Sequence, residues 1–223
     1  MVDPSPNWSP TALQLWNSDE TFAQIMTDGV NGRTLVDPVR CYMLYQLLLH
    51  SQRLDGQVLE VGVYRGGTAF LLIRAMSKDK IFFGCDTFEG LPPPDRSVDP
   101  DHETGQFAAD YQEVWNHLKR ATDKETLQPA LVLTKGVFPG VSADSIGNNL
   151  FCFAHVDVDL YRSVYDTVKW LYPRMVPGGV IVFDDYGFPQ CNGAKVAVDK
   201  FFQDKPESVI YLPTGQAMVI RNG

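Results

Sequence analysis

Short apolar runs alternate with stretches of helical spacing along most of this 223-residue chain. Val58-Leu59-Glu60-Val61 reads as an apolar strand that enters a glycine turn, and helical spacing resumes from Thr68 to Met76. Ile81 to Cys85 is a second strand, ending in Asp86. The alternation continues with a helix from Asp110 to Ala121 and strands at Ala130 to Thr134 and Phe151 to Val158. It closes with a helix from Ser163 to Leu171, a strand from Gly179 to Phe183 and a helix from Gly193 to Phe202. Strands alternating with helices predict an α/β fold with a doubly wound, mostly parallel sheet. Ser208 to Leu212 and Gln216 to Arg221, separated by Pro213-Thr214-Gly215, read as a hairpin that adds an antiparallel strand at the C-terminal end. Upstream, Asp37-Pro38 has the form of an N-cap followed by proline at the first helical position. It opens a helix from Val39 to His50 in which Leu44, Leu47 and Leu48 recur at helical spacing.

These elements divide the chain into a helical or lid segment over residues 1–55, after a proline-rich start at Pro4, Pro6 and Pro10, and an α/β unit over 56–223. Together they form one compact domain, since 223 residues with 44% hydrophobic content bury one substantial core. Residues 90–106 begin Gly90-Leu91-Pro92-Pro93-Pro94, are rich in Asp, and read as an exposed lid or binding loop.

Charge narrows the function. The balance of 27 acidic against 19 basic residues gives a formal charge of -8 with no basic run, which argues against nucleic acid. No apolar run approaches the roughly 20 residues of a membrane span, so no membrane partner is expected. Cys41, Cys85, Cys152 and Cys191 are scattered without C-x-x-C spacing and read as free thiols of a cytoplasmic protein. Tyr42, Leu44, Tyr45 and Leu48 on the N-terminal helix read first as core and leave room for a homo-oligomer.

Two motifs carry the chemistry. At the front, Glu60-Val61-Gly62-Val63-Tyr64-Arg65-Gly66-Gly67-Thr68 sets glycines on the first strand-to-helix turn, where backbone can approach a ligand and the helix N-terminus offers free N–H groups. The spacing fails the G-x-G-x-x-G dinucleotide fingerprint. Asp86, at the end of the next strand, is placed to accept hydrogen bonds from two ribose hydroxyls. A nucleoside without a pyrophosphate is the expectation. At the rear, His155-Val156-Asp157-Val158-Asp159 and Phe183-Asp184-Asp185 concentrate carboxylates where apolar strands end. Alternation puts His155, Asp157 and Asp159 on one face, whereas Asp184 and Asp185 reach one ion only if their strand stops there. Oxygen donors without a Cys or His cluster suit Mg2+, Ca2+ or Mn2+, with Mg2+ expected. Asp159 has a second reading, as the cap of the helix that starts near Arg162.

The strings Val58 to Thr68, Asp86-Thr87-Phe88-Glu89-Gly90-Leu91-Pro92, His155 to Tyr161 and Phe183 to Gly187 resemble the macrocin O-methyltransferase family. Its members are metal-dependent enzymes that use S-adenosylmethionine to methylate sugar hydroxyls of macrolide and aminocoumarin natural products. The resemblance runs from about Leu35 to the C-terminus and implies a Rossmann-like class I methyltransferase fold with a small-molecule acceptor. It implies Asp157, Asp184 and Asp185 as metal ligands and Asp159 as general base. It further implies Glu60, Gly62, Gly66, Thr68, Asp86 and Thr87 as the cofactor site, with Gly136 on a loop against the adenine. The proline-rich N-terminus departs from the family pattern, so the acceptor stays open.

Three other readings compete. A catechol-type or acyl-coenzyme A ester-type metal-dependent methyltransferase shares the fold and takes phenols. A nucleotide-sugar glycosyltransferase would use the D-x-D motif yet leave the glycine turn and Asp86 unexplained. An NAD-linked oxidoreductase is disfavoured by the glycine spacing.

Overall fold

The computed structural model describes residues 15–122 and 130–223. The proline-rich start at Pro4, Pro6 and Pro10 lies outside them. Seven strands form one sheet: β1 (Gln57–Val61), β2 (Ile81–Asp86), β3 (Ala130–Lys135), β4 (Phe151–Val156), β5 (Met175–Phe183), β6 (Ile210–Tyr211) and β7 (Ala217–Ile220). Their order is β3-β2-β1-β4-β5-β7-β6. The first five are parallel, and β7 runs antiparallel to both β5 and β6, the arrangement the C-terminal hairpin predicts. β1 is flanked by β2 on one side and β4 on the other. The chain therefore changes direction across the sheet at β1, and a crevice opens beyond the carboxyl ends of these strands.

Period-two alternation supplies two cores, one on each face. Val58, Phe82, Phe153, Val180 and Val182 join one cluster, while Leu59, Phe83, Ala154, Ile181 and Phe183 join the other. The first face is covered by α1 (Glu20–Ile25), α2 (Pro38–Ser51), α3 (Gly67–Ala75) and α4 (Tyr111–Leu118), the second by α5 (Tyr161–Leu171) and α6 (Asn192–Phe202). On α2, Leu44 and Leu48 are completely buried against the first face, each contributing about 1.5–3 kcal/mol. Asp37 caps α2 as its sequence predicts: Oδ1 accepts from the backbone N–H of Val39 at 2.9 Å and of Arg40 at 3.1 Å. That cap fixes where Arg40 leaves the first turn.

Two departures from the sequence reading have local causes. β5 starts at Met175, upstream of the predicted Gly179, because a register shift against β4 absorbs Pro177, Gly178 and Gly179 within the strand. Residues 90–106 form neither helix nor strand but are packed onto the domain. Leu91 N–H donates to Gln106 O at 2.8 Å and Leu91 O accepts from Gly105 N–H at 2.9 Å across the loop, and Asp99 and His102 are buried. Among the described residues, no helix is long and apolar enough to cross a membrane.

Candidate active site

One cavity of about 310 Å³ lies at the carboxyl ends of the parallel strands, and both motifs line it. Gly62, Thr68, Asp86, Thr87 and Gly136 contribute from the front, and Asp157, Asp159, Asp184 and Asp185 from the rear. The two halves touch at Gly62. Its φ is +94°, and a Cβ there would stand 1.7 Å from the carbonyl oxygen of Asp157. Only glycine lets the end of β1 pass this close to the end of β4.

The front half is built from backbone. Asp86 Oδ2 accepts from the N–H groups of Val63 at 2.7 Å and Tyr64 at 2.8 Å, and Oδ1 accepts from Phe88 N–H at 2.6 Å. A carboxylate has about four lone-pair positions, so Asp86 chiefly shapes the turn and retains one position for a ligand hydroxyl, where two ribose contacts were expected. Gly66 is the left-handed N-cap of α3, and no side chain caps that helix. Gly67 N–H donates to Arg33 O at 3.2 Å, and the N–H groups that follow it in the first turn remain for an anion. Thr87 donates its hydroxyl to Gly90 O at 2.7 Å, and Gly136 N–H donates to Asp86 O at 2.8 Å, tying the loops after β2 and β3 together.

The rear half is built from charge. Glu60 and His155 are register partners on β1 and β4, both completely buried on the α2 face. Burial alone would lower the His155 pKa, but the carboxylates of Asp184 and Glu60 raise it well above the ordinary histidine value. The charged ring donates from Nδ1 to Glu60 Oε1 at 2.9 Å and from Nε2 to Asp184 Oδ1 at 3.3 Å. Asp184 Oδ1 also accepts from Gln216 Nε2 at 2.8 Å, and its Oδ2 is ion-paired with Arg40. Against burial, which favours the acid, His155 and Arg40 hold the Asp184 carboxyl below its usual pKa. Asp157 and Asp185 go the other way. Burial raises both, and repulsion from neighbouring carboxylates adds to it.

His155, Asp157 and Asp184 bring ligand atoms within 4.8 Å of one another, and β5 ends at Phe183, so Asp184 and Asp185 leave a finished strand. Asp185 turns toward Asp159, whose N–H donates to Asp185 Oδ2 at 3.1 Å. Asp159 is held at φ +54°, a left-handed conformation that costs a non-glycine residue about 1 kcal/mol or more. Its Oδ1 lies 3.6 Å from His102 Nε2 and accepts from Cys191 Sγ at 3.7 Å. It does not cap α5. That role belongs to Asp99, which accepts from Tyr161 N–H at 3.0 Å. Glu60, Asp157, Asp159, Asp184 and Asp185 thus crowd five carboxyl groups around Arg40, His155 and His102, and burial holds Glu60, Asp157 and Asp185 toward the protonated form.

Two sequence-predicted cofactor residues stand behind the cavity wall. Glu60 is engaged by His155, and Gly66 faces Val114, His117 and Leu118. Arg40, His102, Gln216, Cys191 and Asp99 escaped the sequence reading. Each is a single residue with no local pattern. The one usable signal was Arg40, a charge in the first turn of an otherwise apolar helix beside its capping Asp37.

The macrocin-O-methyltransferase (TylF) family profile matches residues 24–207, most of the chain and all of this cavity's strands. The chain belongs to this family. This macrocin O-methyltransferase family member is 28% identical over 188 residues to demethyldecarbamoylnovobiocin O-methyltransferase of Streptomyces niveus, covering 77% of this chain and 68% of that enzyme. It is 29% identical over 151 residues to mycinamicin III 3''-O-methyltransferase of Micromonospora griseorubida, covering 62% of this chain and 58% of that enzyme. The chain therefore matches somewhat more than half the length of the second relative. The structure of the O-methyltransferase NovP superposes with a TM-score of 0.70 at 23% identity, covering 86% of this chain and 84% of that one, and confirms the class I methyltransferase fold.

Proposed function

We propose that the chain is an S-adenosylmethionine-dependent, divalent-cation-dependent O-methyltransferase whose acceptor is a sugar hydroxyl of a glycosylated natural product. The observation that carries this is the single cavity in which a backbone-built turn and a carboxylate cluster meet at Gly62. The two relatives, named for O-methylation of a novobiocin derivative and of mycinamicin III, support the acceptor class.

The residues fit both groups. For the cofactor, Gly62 and the uncapped start of α3 leave room and N–H donors, with Asp86 holding the turn open. For the cation, Asp157, Asp184 and Asp185 would be the ligands, because Asp157 and Asp184 bring hard carboxylate oxygens within 4.8 Å of each other and Asp185 follows Asp184 at the end of β5, a donor set that suits a hard divalent ion, Mg2+ first. When bound, S-adenosylmethionine supplies an electrophilic methyl group and the cation lowers the pKa of an alcohol hydroxyl.

The remaining work falls to side chains of this protein. Asp159 takes the hydroxyl proton on a carboxylate oxygen, oriented by His102 and Cys191 and by the N–H bond to Asp185. Leu91, Phe107 and Val137 line the mouth and limit water. The test is a methyl-transfer assay with S-adenosylmethionine and Mg2+ on deoxysugar glycosides and on catechols, each with and without chelator. Chelator-sensitive methylation of a glycoside hydroxyl is the expected result. Preference for catechols would overturn the acceptor class, and chelator-insensitive transfer would overturn the cation.

A further inference from the structure

Asp184, proposed above as a ligand, already carries a donor on each oxygen. Oδ1 accepts from His155 and Gln216, and Oδ2 is ion-paired with Arg40. The first two donors belong to the sheet and its connections: His155 is gripped at its other nitrogen by Glu60, and Gln216 immediately precedes β7. Arg40 differs, because it reaches in from α2, an element that lies outside the sheet. It is anchored there independently of Asp184. Its Nε donates to Asp37 Oδ2 at 2.8 Å, another guanidinium nitrogen donates to Leu35 O at 3.0 Å, and the guanidinium lies over the Phe188 ring at 4.7 Å. The same side chain lines the cavity.

A guanidinium keeps its charge throughout the pH range of a folded protein, and the one Arg40 nitrogen on Asp184 Oδ2 places that charge where a second cation would have to bind the same oxygen. We infer that Arg40 is a tethered cation that occupies Asp184 in the metal-free protein and competes with the divalent ion for it. This rests on the divalent-cation reading above. In the metal-free site Arg40 supplies Asp184 Oδ2 with its partner, beside the His155 and Gln216 bonds to Oδ1, and the ion binds only as Arg40 releases Oδ2 while still held by Asp37 and Leu35. Arg40 thus weakens the site's affinity while protecting its fold.

The experiment is a Mn2+ titration followed by electron paramagnetic resonance, with Mn2+ as the probe. Wild type, Arg40→Gln and Arg40→Lys are compared, and S-adenosylhomocysteine binding by calorimetry shows that each is folded. Arg40→Gln is expected to bind Mn2+ at least about tenfold more tightly than wild type, because one competing charge is gone. Arg40→Lys, which keeps the charge without the simultaneous hold on Asp37 and Leu35, falls between. Without metal, Arg40→Gln melts below wild type, and saturating Mn2+ narrows that gap. Equal or weaker Mn2+ binding by Arg40→Gln, with wild type binding normally, overturns the role of Arg40 and leaves the cation site standing. Absence of Mn2+ binding in all three proteins, with S-adenosylhomocysteine still bound, overturns the cation reading and this inference with it.

Discussion

His117, beneath the glycine turn, and His155, beneath the carboxylates, are both buried, yet they are held in opposite charge states. His117 stacks on Phe70 with ring centroids 4.9 Å apart, and burial together with Arg33 and Arg120 pushes its pKa down to about 4. Its Nδ1 accepts from Arg120 at 2.7 Å. His155, between Asp184 and Glu60, is instead raised well above the histidine range. The front of the cavity is a matter of shape, made by backbone amides gathered on one carboxylate, Asp86. The rear is a matter of charge, where every group takes its state from its neighbours. Damage at the front should therefore appear as lost fit, and damage at the rear as lost cation binding with the fold intact.

Gly62→Ala should break both halves at once, because the new methyl group collides with the Asp157 carbonyl at a backbone φ that alanine disfavours. A loss of roughly 3 kcal/mol or more in urea denaturation is expected, together with loss of both S-adenosylhomocysteine and Mn2+ binding. Asp157→Asn separates the halves. Mn2+ affinity should fall by about a hundredfold or more while calorimetric S-adenosylhomocysteine affinity changes little. Asp86→Ala is the converse, since it orphans the N–H groups of Val63, Tyr64 and Phe88. S-adenosylhomocysteine should bind about tenfold more weakly, with Mn2+ binding retained, and each orphaned donor that stays buried costs about 1–3 kcal/mol.

The smallest effect concerns His117. An unfolded histidine titrates near 6.5. With the folded value at about 4, protonation favours the unfolded chain. The stability His117 contributes is present above about pH 6.5 and is lost as pH falls toward about 4. His117→Gln should flatten this acid limb, read as urea midpoints between neutral pH and the acid end. An unchanged limb would mean that His117 is not the group responsible.

The contrast also explains what could be read from the chain. Backbone-built features leave local marks, and they were legible: the alternation in Val58 to Val61 and Phe151 to Val156, the glycines at 62 and 66, the Asp37-Pro38 helix start, the closing hairpin. The rear carboxylates were legible as a cluster because Asp157, Asp159, Asp184 and Asp185 crowd two short strings. Their partners were not. Arg40 lies 144 positions from Asp184 in sequence, and His102 sits in a loop whose composition suggests only exposure. Such pairings arise when the sheet brings distant residues to one edge, and no periodicity records them. The start of β5 is hidden for a related reason: Pro177-Gly178-Gly179 resembles a turn until a register shift against β4 accommodates it.

Calorimetric titration of S-adenosylhomocysteine into the purified protein, with and without Mg2+ and beside an NAD+ control, tests the account most directly. Binding of S-adenosylhomocysteine in both conditions, with none of NAD+, is the predicted result, because the front half is built without the rear half's charge. Absence of binding in a protein shown to be folded would contradict the assignment of this cavity to a methyl-donor cofactor.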